Sequence, residues 1–360
     1  MNNLTVILSV LIIIVIFIYY LTISVNKPTD IVLYTPTYVP TYEPTYAPTY
    51  APYDITQYTP ILTKINNNMH TWTKIANSVD GKIIAALSRE GFYVSIDSGI
   101  TWDTYTVSEI DPFFYTSVYI QQSDSSIMYI TSYNEKFKGT IYKSIDTGQT
   151  WDIFTTSNTT IQNIAMSVDG SHIIYGTWIG SLWISTNSGL TWTEKLLDMP
   201  RKWLPLSVSA NGNVMVAGET EIDQRIWLSV DSGTTWLPYT NELIHNWRSI
   251  ICSADGTKII GLGSITHPAE IYIGTITGST LTMELLNKVQ SWIMCTSSLD
   301  LTKIYAVDSN GAFWYSTNSG KLWNKTNYTI IRITDISCTP DGLNLFISEF
   351  GRYIYNGILT

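Results

Sequence analysis

Five copies of one eight-residue phrase run through the chain: Ser95-Ile-Asp97-Ser-Gly99-Ile-Thr101-Trp102, then Ser144 to Trp151, Ser185 to Trp192, Ser229 to Trp236 and Ser316 to Trp323. The common form is Ser-x-Asp/Asn-x-Gly-x-Thr-Trp, with Leu322 in place of Thr in the last copy. Such self-similarity means a chain assembled from one supersecondary unit used several times. Each copy follows an aromatic and β-branched run, such as Phe92-Tyr93-Val94 or Leu182-Trp183-Ile184, of the kind that favours strands. The phrase itself reads as the turn that ends the strand. Asp97, Asp146, Asn187, Asp231 and Asn318 can accept backbone N–H bonds within the turn. Gly99, Gly148, Gly189, Gly233 and Gly320 tolerate the positive φ it needs. Trp102, Trp151, Trp192, Trp236 and Trp323 then open the next strand and pack over the hairpin. These residues read as structural, not chemical.

A second turn phrase sets the number of units. Ser78-Val-Asp80-Gly81, Ser167-Val-Asp169-Gly170, Ser209-Ala-Asn211-Gly212, Ser253-Ala-Asp255-Gly256 and Thr339-Pro-Asp341-Gly342 are clear copies. Ser123-Asp124-Ser125-Ser126 and Ser298-Leu-Asp300-Leu301 are weaker ones. The starts at 78, 123, 167, 209, 253, 298 and 339 lie 41 to 45 residues apart, the length of a four-stranded unit. Trp72, Trp203, Trp247 and Trp292 each stand six residues before the turn and mark an inner strand. The fifth unit has a decayed phrase, with Gly274, Ile276, Gly278, Thr280 and Leu281 at its positions. The seventh ends at Arg352-Tyr-Ile-Tyr-Asn356-Gly357 without an outer strand. Pro60-Ile-Leu-Thr-Lys-Ile65 precedes Trp72 at the spacing that separates Trp236 from Trp247. It is expected to supply the missing strand and close a ring, which removes open sheet edges.

The eight-residue phrase resembles the Asp-box (BNR) repeat of sialidase-like β-propellers, and the resemblance covers about residues 72–360. It implies an all-β fold, a seven-bladed β-propeller closed by an N-terminal strand. The layout is most similar to the single seven-bladed propellers of the photosystem II assembly-factor type, which are binding scaffolds. Sialidases carry an arginine triad, a Tyr/Glu pair and an early Arg-Ile-Pro phrase on six blades; here Arg332-Ile-Thr is late and lacks the Pro. Xyloglucan-cleaving endoglucanases set a carboxylate pair between two such propellers, and this chain has one. Sortilin-type receptors have more blades and a cysteine-rich tail, absent here. The heavy aromatic load, 13 Trp, 24 Tyr and 9 Phe, suits blades packed face to face, while charged residues make up only 14% against the usual quarter.

Leu4 to Val25 carries no charge and is long enough to cross ~30 Å of hydrocarbon as a helix. Met1-Asn2-Asn3 has no basic residue and Ser24-Val25-Asn26 is a poor cleavage site, so residues 1–26 read as an uncleaved transmembrane signal-anchor rather than a signal peptide. Residues 27–54 hold Pro36-Thr-Tyr, Pro40-Thr-Tyr, Pro44-Thr-Tyr and Pro48-Thr-Tyr. A proline every fourth residue leaves an extended stalk that reaches roughly 85 Å at ~3.1 Å per residue. Residues 55–360 form the propeller. Lys27 is offset by Asp30, so the basic-residue bias for orientation is weak. The expected placement is a single-pass membrane protein with the propeller outside the cytosol or on a virion or cell surface. The sequons at Asn158, Asn324 and Asn327 agree with this, and the Ile-, Asn- and Tyr-rich composition resembles that of a large DNA virus.

A net charge of −9 with no basic run argues against nucleic acid. Cys252, Cys295 and Cys338 fall on inner strands, an odd count that argues against a disulfide framework. The four histidines lack ligand spacing, so neither metal nor cofactor is expected. The loops on the face away from the boxes are where a ligand is expected. Candidate binding residues there are Arg89, Arg201, Arg225, Arg248, His267 and Arg352. Arg248 follows Trp247 on an inner strand, where an unpaired charge is costly, and should line the channel or meet a carboxylate. Two readings result. The first is a membrane-anchored binding or scaffold module for a protein or glycan. The second is a glycoside hydrolase or lyase that uses Glu90, Glu219, Glu221 or Glu349, for which two carboxyl groups ~5–5.5 Å or ~6.5–9.5 Å apart are the requirement.

Overall fold

The computed structural model describes residues 60–65, 69–105, 107, 114–196, 198–221, 224–239, 245–264 and 269–359. The expected anchor (1–26), its span 4–25 and the stalk (27–54) lie outside them. Among the described residues no helix is long and apolar enough to cross a membrane.

The strands follow one another as antiparallel meanders. A lone strand β1 (Pro60–Lys64) comes first. The first meander is β2 (His70–Asn77), β3 (Ile84–Ser88), β4 (Gly91–Ser95) and β5 (Asp103–Tyr105); the next is β6 (Tyr115–Ile120), β7 (Met128–Tyr133), β8 (Gly139–Ser144) and β9 (Asp152–Ser157). Then come β10 (Ile161–Met166), β11 (Ile173–Thr177), β12 (Leu182–Ser185) and β13 (Thr193–Lys195), followed by β14 (Lys202–Val208), β15 (Met215–Thr220), β16 (Ile226–Ser229) and β17 (Leu237–Pro238). The continuous β21 (Thr280–Ser297) closes the meander of β18 (Asn246–Cys252), β19 (Lys258–Ser264) and β20 (Ala269–Thr277). It also opens the one with β22 (Ile304–Asp308), β23 (Ala312–Ser316) and β24 (Asn324–Thr329). Finally β25 (Ile333–Cys338), β26 (Asn344–Arg352) and β27 (Ile354–Leu359) lack a fourth strand from their own end of the chain, and β1 supplies it, pairing Pro60 with Leu359 through Lys64 with Tyr355.

The boxes share one set of Ser, Asp/Asn and Gly bonds, to which Trp102, Trp151 and Trp236 add an indole bond to the box glycine's carbonyl. In the first, Ser95 Oγ donates to Asp97 Oδ1 (2.8 Å) and accepts from Gly99 N (2.8 Å), Thr101 N donates to Asp97 Oδ1 (2.8 Å), and the Trp102 indole donates to the Gly99 carbonyl (3.1 Å). Asn187 and Asn318 make the same Oδ1 bonds without the charge. The box glycines dock each turn on the preceding meander. At Gly189, φ is +83 and a Cβ would lie 2.0 Å from Phe154 Cζ. The fifth meander departs from the pattern: its decayed phrase is replaced by a two-residue hairpin, with Thr277 paired to Thr280 around Gly278 and Ser279.

The other turns interlock. Ser123 N donates to Val168 O, Val168 N to Ala210 O, Ala210 N to Ala254 O, Ala254 N to Leu299 O and Leu299 N to Pro340 O, at 2.8–3.0 Å. Pro340 has no N–H to pass the ladder on. Between the sheets lies an aromatic core in which Trp72, Trp203, Trp247 and Trp292 are fully buried.

The turn aspartates carry an acid-dependent part of the stability. Hydrogen bonds from neighbouring hydroxyl and N–H groups hold Asp80, Asp97, Asp146 and Asp255 below their ordinary value. The bonds from Ser167 and Ser171 bring Asp169 from 3.8 to about 2. A carboxylate with a lowered folded pKa contributes stability that is complete above its unfolded value and is lost as the pH falls through the folded one. Thermal unfolding of the full chain is expected to stay level from about pH 7 to 5 and drop steeply below about pH 4. A midpoint unchanged at about pH 2 would show that these turns contribute nothing.

Candidate binding cavity

A cavity of about 640 Å³ opens among the inner strands, within the ~300–1,000 Å³ range of ligand sites. Its lining mixes apolar residues (Leu204 and Pro205 of β14, Ile250 of β18, Ile293 and Met294 of β21) with polar ones (Asn163, Asn246, Ser249 and Thr296); the charged members are Lys74, Glu221, Arg248 and Asp335. A repeated irregularity shapes this lining. Register shifts fall between Trp72 and Lys74, Tyr115 and Ser117, Ile161 and Asn163, Trp203 and Leu206, Trp247 and Ser249, Trp292 and Met294, and Ile333 and Asp335. Such bulges bend a strand and re-aim a side chain. In β2 and β25 the extra residue is a threonine, whose hydroxyl donates to the next strand's carbonyl: Thr73 to Leu87 and Thr334 to Ser348, both 3.2 Å. In β18 it is Arg248, which lines the cavity. Asp335 joins the last inner strand to the first: it accepts from Ile75 N (3.1 Å), and Lys74 Nζ lies 3.9 Å away. Burial raises the Asp335 pKa above its ordinary 3.8, an effect that Lys74 and the Ile75 N–H oppose. The sequence reading named neither Lys74 nor Asp335.

The carboxylate candidates are held locally. Glu219 is fully buried; Arg201 Nε lies 2.5 Å from its Oε1, and the Trp227 indole donates to the same atom (2.9 Å). Arg201 is itself 3% exposed, donates to both Asp198 oxygens (2.7 and 2.6 Å) and lies 4.8 Å over Trp227. Its bonds and charge pull Asp198 to about 2. Both Arg201 and Glu219 were expected on the loops of the face away from the boxes; the structure instead sets Glu219 in β15 and buries the two against each other. Glu349 is 2% exposed and accepts from Tyr355 OH (3.0 Å), with Arg352 at 3.8 Å. It too lies inside the fold. Glu90 is exposed and accepts from the N–H (3.1 Å) and hydroxyl (2.7 Å) of Thr71. Burial raises its pKa, but the bonds from Thr71 and Ser88 outweigh this and leave it lowered. Glu221 has φ +79 and pairs with Lys202, whose Nζ lies 4.5 Å over Trp178.

Glu219 and Glu349 follow one rule. They occupy the second-strand position opposite the start of the inner strand, facing Trp203 and Ile333; Asp308, facing Trp292, is the third case. Each accepts from an aromatic of the next strand, Trp227, Tyr355 or, for Asp308, Trp314 (3.0 Å). Of the remaining candidates, Arg89 lies 5.3 Å over Phe350, the Arg225 carbonyl accepts from Glu219 N (2.9 Å), and the Arg352 carbonyl accepts from the Trp72 indole (3.3 Å). His267 lies outside the described residues. His245 is buried, 2.7 Å from Tyr272 OH, which donates to Glu270 (2.5 Å). Among the described residues no group of three metal-ligating side chains forms.

No protein-family model and no curated protein sequence matches the chain. Solved structures do match. YCF48 from Cyanidioschyzon merolae superposes with a TM-score of 0.64 at 12% identity, over 82% of this chain and 98% of that one. YCF48 bound to D1 peptide gives 0.63 at 14%, over 84% and 97%. The chain has a β-propeller fold. The GH74 xyloglucanase from Xanthomonas campestris gives 0.66 at 11% identity, over 83% of this chain but 53% of that one. The propeller therefore spans about half of that enzyme. At such identities the likeness shows the fold alone.

Proposed function

We propose that this chain is a seven-bladed propeller, closed by β1, that binds a protein segment at the inner-strand cavity. The observation that carries this reading is the cavity wall itself: apolar and polar side chains interspersed, with Arg248 placed on a bulge, and Lys74 and Asp335 from other blades. Such a mixture suits a peptide that inserts an apolar side chain and a charge together. The carboxylates support binding over hydrolysis. Glu219 and Glu349 are buried among structural partners, and the two that line the cavity, Glu221 and Asp335, each have a lysine beside them. YCF48, whose structure holds a D1 peptide, supports a peptide ligand by fold analogy. In this reading residues 4–25 anchor the protein in a membrane, residues 27–54 form the stalk and the propeller lies outside the cytosol; carbonate extraction of membranes is expected to leave the full chain in the pellet.

The test incubates the full chain with an arrayed peptide panel and a polysaccharide panel, scoring retention and release of reducing ends. Retention of peptides is expected, weakened about tenfold by Arg248→Ala, the worth of one charge-assisted contact. Reducing ends released in an Asp335-dependent manner would replace this reading with glycoside hydrolysis. Retention of glycans alone, uncleaved, would make it a lectin.

A further inference from the structure

The outer strand of the fifth meander has an open edge of unusual length. Thr280 to Leu285 runs against β20 in unbroken register, from Thr277 opposite Thr280 to Tyr272 opposite Leu285. The outer strands β5, β13 and β17 span only three, three and two residues. β9 and β24 are longer but are split by register shifts. β1 begins with Pro60 and ends with Lys64, two residue types that guard an edge. From Thr280 to Leu286 there is no proline and no lysine, and Glu284 is the one charge. The reason lies in the lost box. A two-residue turn with Gly278 at φ +60 lets both strands run to its tip.

Among the described residues no strand pairs with this edge over the stretch. β21 pairs with β20 here and with β22 only from Trp292 onward. In a two-residue hairpin the closing pair is hydrogen bonded and the bonding alternates from there. The N–H groups of Leu281, Met283 and Leu285 therefore point outward, away from β20.

The edge can pair with a second copy of itself about Met283 without a clash of charges. An antiparallel copy centred there sets Leu281 opposite Leu285 and Thr282 opposite Glu284, so like charges do not meet. Thr282 and Glu284 are both exposed and share one face. We propose that Thr280–Leu286 is a homodimerisation edge, at which a second copy of this chain adds its own β21 about a twofold axis through Met283. The interface is isologous, as twofold dimers require. With −9 on each copy, salt screens the repulsion and strengthens association.

The test is sedimentation of the full chain over a concentration series, with Thr282→Lys and Thr282→Glu. Both variants lose the same Thr282 hydroxyl bond to the Thr275 carbonyl (3.3 Å), so any effect on the fold is shared. The introduced lysine faces Glu284 of the partner subunit, and the introduced glutamate repels it. Dimerisation is expected to tighten about fivefold in the first and weaken about fivefold in the second, with both differences shrinking at high salt. Hydrogen exchange gives an independent readout: the Leu281, Met283 and Leu285 amides slow as concentration rises. A monomer at every concentration, equal shifts in both variants, or a dimer without that protection overturns the proposal.

Discussion

Glu219→Ala is expected to destabilise the folded chain by about 3–5 kcal/mol, the cost of removing one member of a buried ion pair. Arg201 is 3% exposed and the Glu219 carboxylate has no route to water. Deleting the carboxylate takes from the guanidinium its buried counter-charge and leaves Asp198 at its exposed edge, beside the Leu196 carbonyl and the Trp227 ring. It also strips the Trp227 indole of its acceptor. Glu219→Gln keeps the indole acceptor and is expected to cost less than the alanine variant. Urea unfolding measures both. The pairing distinguishes a structural carboxylate from a catalytic one. If Glu219→Ala unfolds at the same urea concentration as the parent but loses a chemical activity, the assignment of Glu219 to the fold is wrong.

Gly189→Ala is expected to cost about 3 kcal/mol, the sum of a left-handed backbone with a side chain and an overpacked contact. The backbone term is set by φ +83, and the contact by the 2.0 Å approach to Phe154 Cζ. A lone aromatic ring could swing aside. Phe154 cannot do so cheaply, because it packs edge-on against both Tyr129 (5.3 Å) and Trp192 (5.9 Å). Gly278→Ala is the matched control. It also has positive φ but nothing within 4 Å of the added carbon, so only the backbone term of about 1–2 kcal/mol remains. Thermal unfolding that ranks the two equally would mean that the docking of the box on its neighbour carries no energy.

The turns were the legible part of this molecule because they are local. Ser95, Asp97, Gly99 and Trp102 satisfy one another within eight residues, so a phrase in the sequence is already a structure. The cavity was less legible because its chemistry is assembled across the chain: Asp335 meets Ile75 N from 260 residues away. Arg248 was visible as a charge next to Trp247; the bulge that carries it follows directly on that tryptophan, as bulges do after Trp72, Trp203 and Trp292. Glu219 and Glu349 carry a readable signal, an aromatic residue six to eight positions later on the next strand. Asp308 and Trp314 carry the same signal. The fifth box is decayed in the sequence, and in the structure its positions form a tighter, two-residue hairpin.

The pairing of β1 with β27 gives the protein a defined mechanical weak point. Pro60 faces Leu359, so the two termini of the described domain emerge side by side. A pull applied between them loads one rung of the ladder at a time, and the strands peel apart like a zip. A pull applied at Pro60 and Ile354 would load the same rungs together in shear. Tension carried by the chain ahead of Pro60 thus reaches the last meander first, while the meanders from β6 to β17, each made of four consecutive strands, carry none of it until that seam has opened.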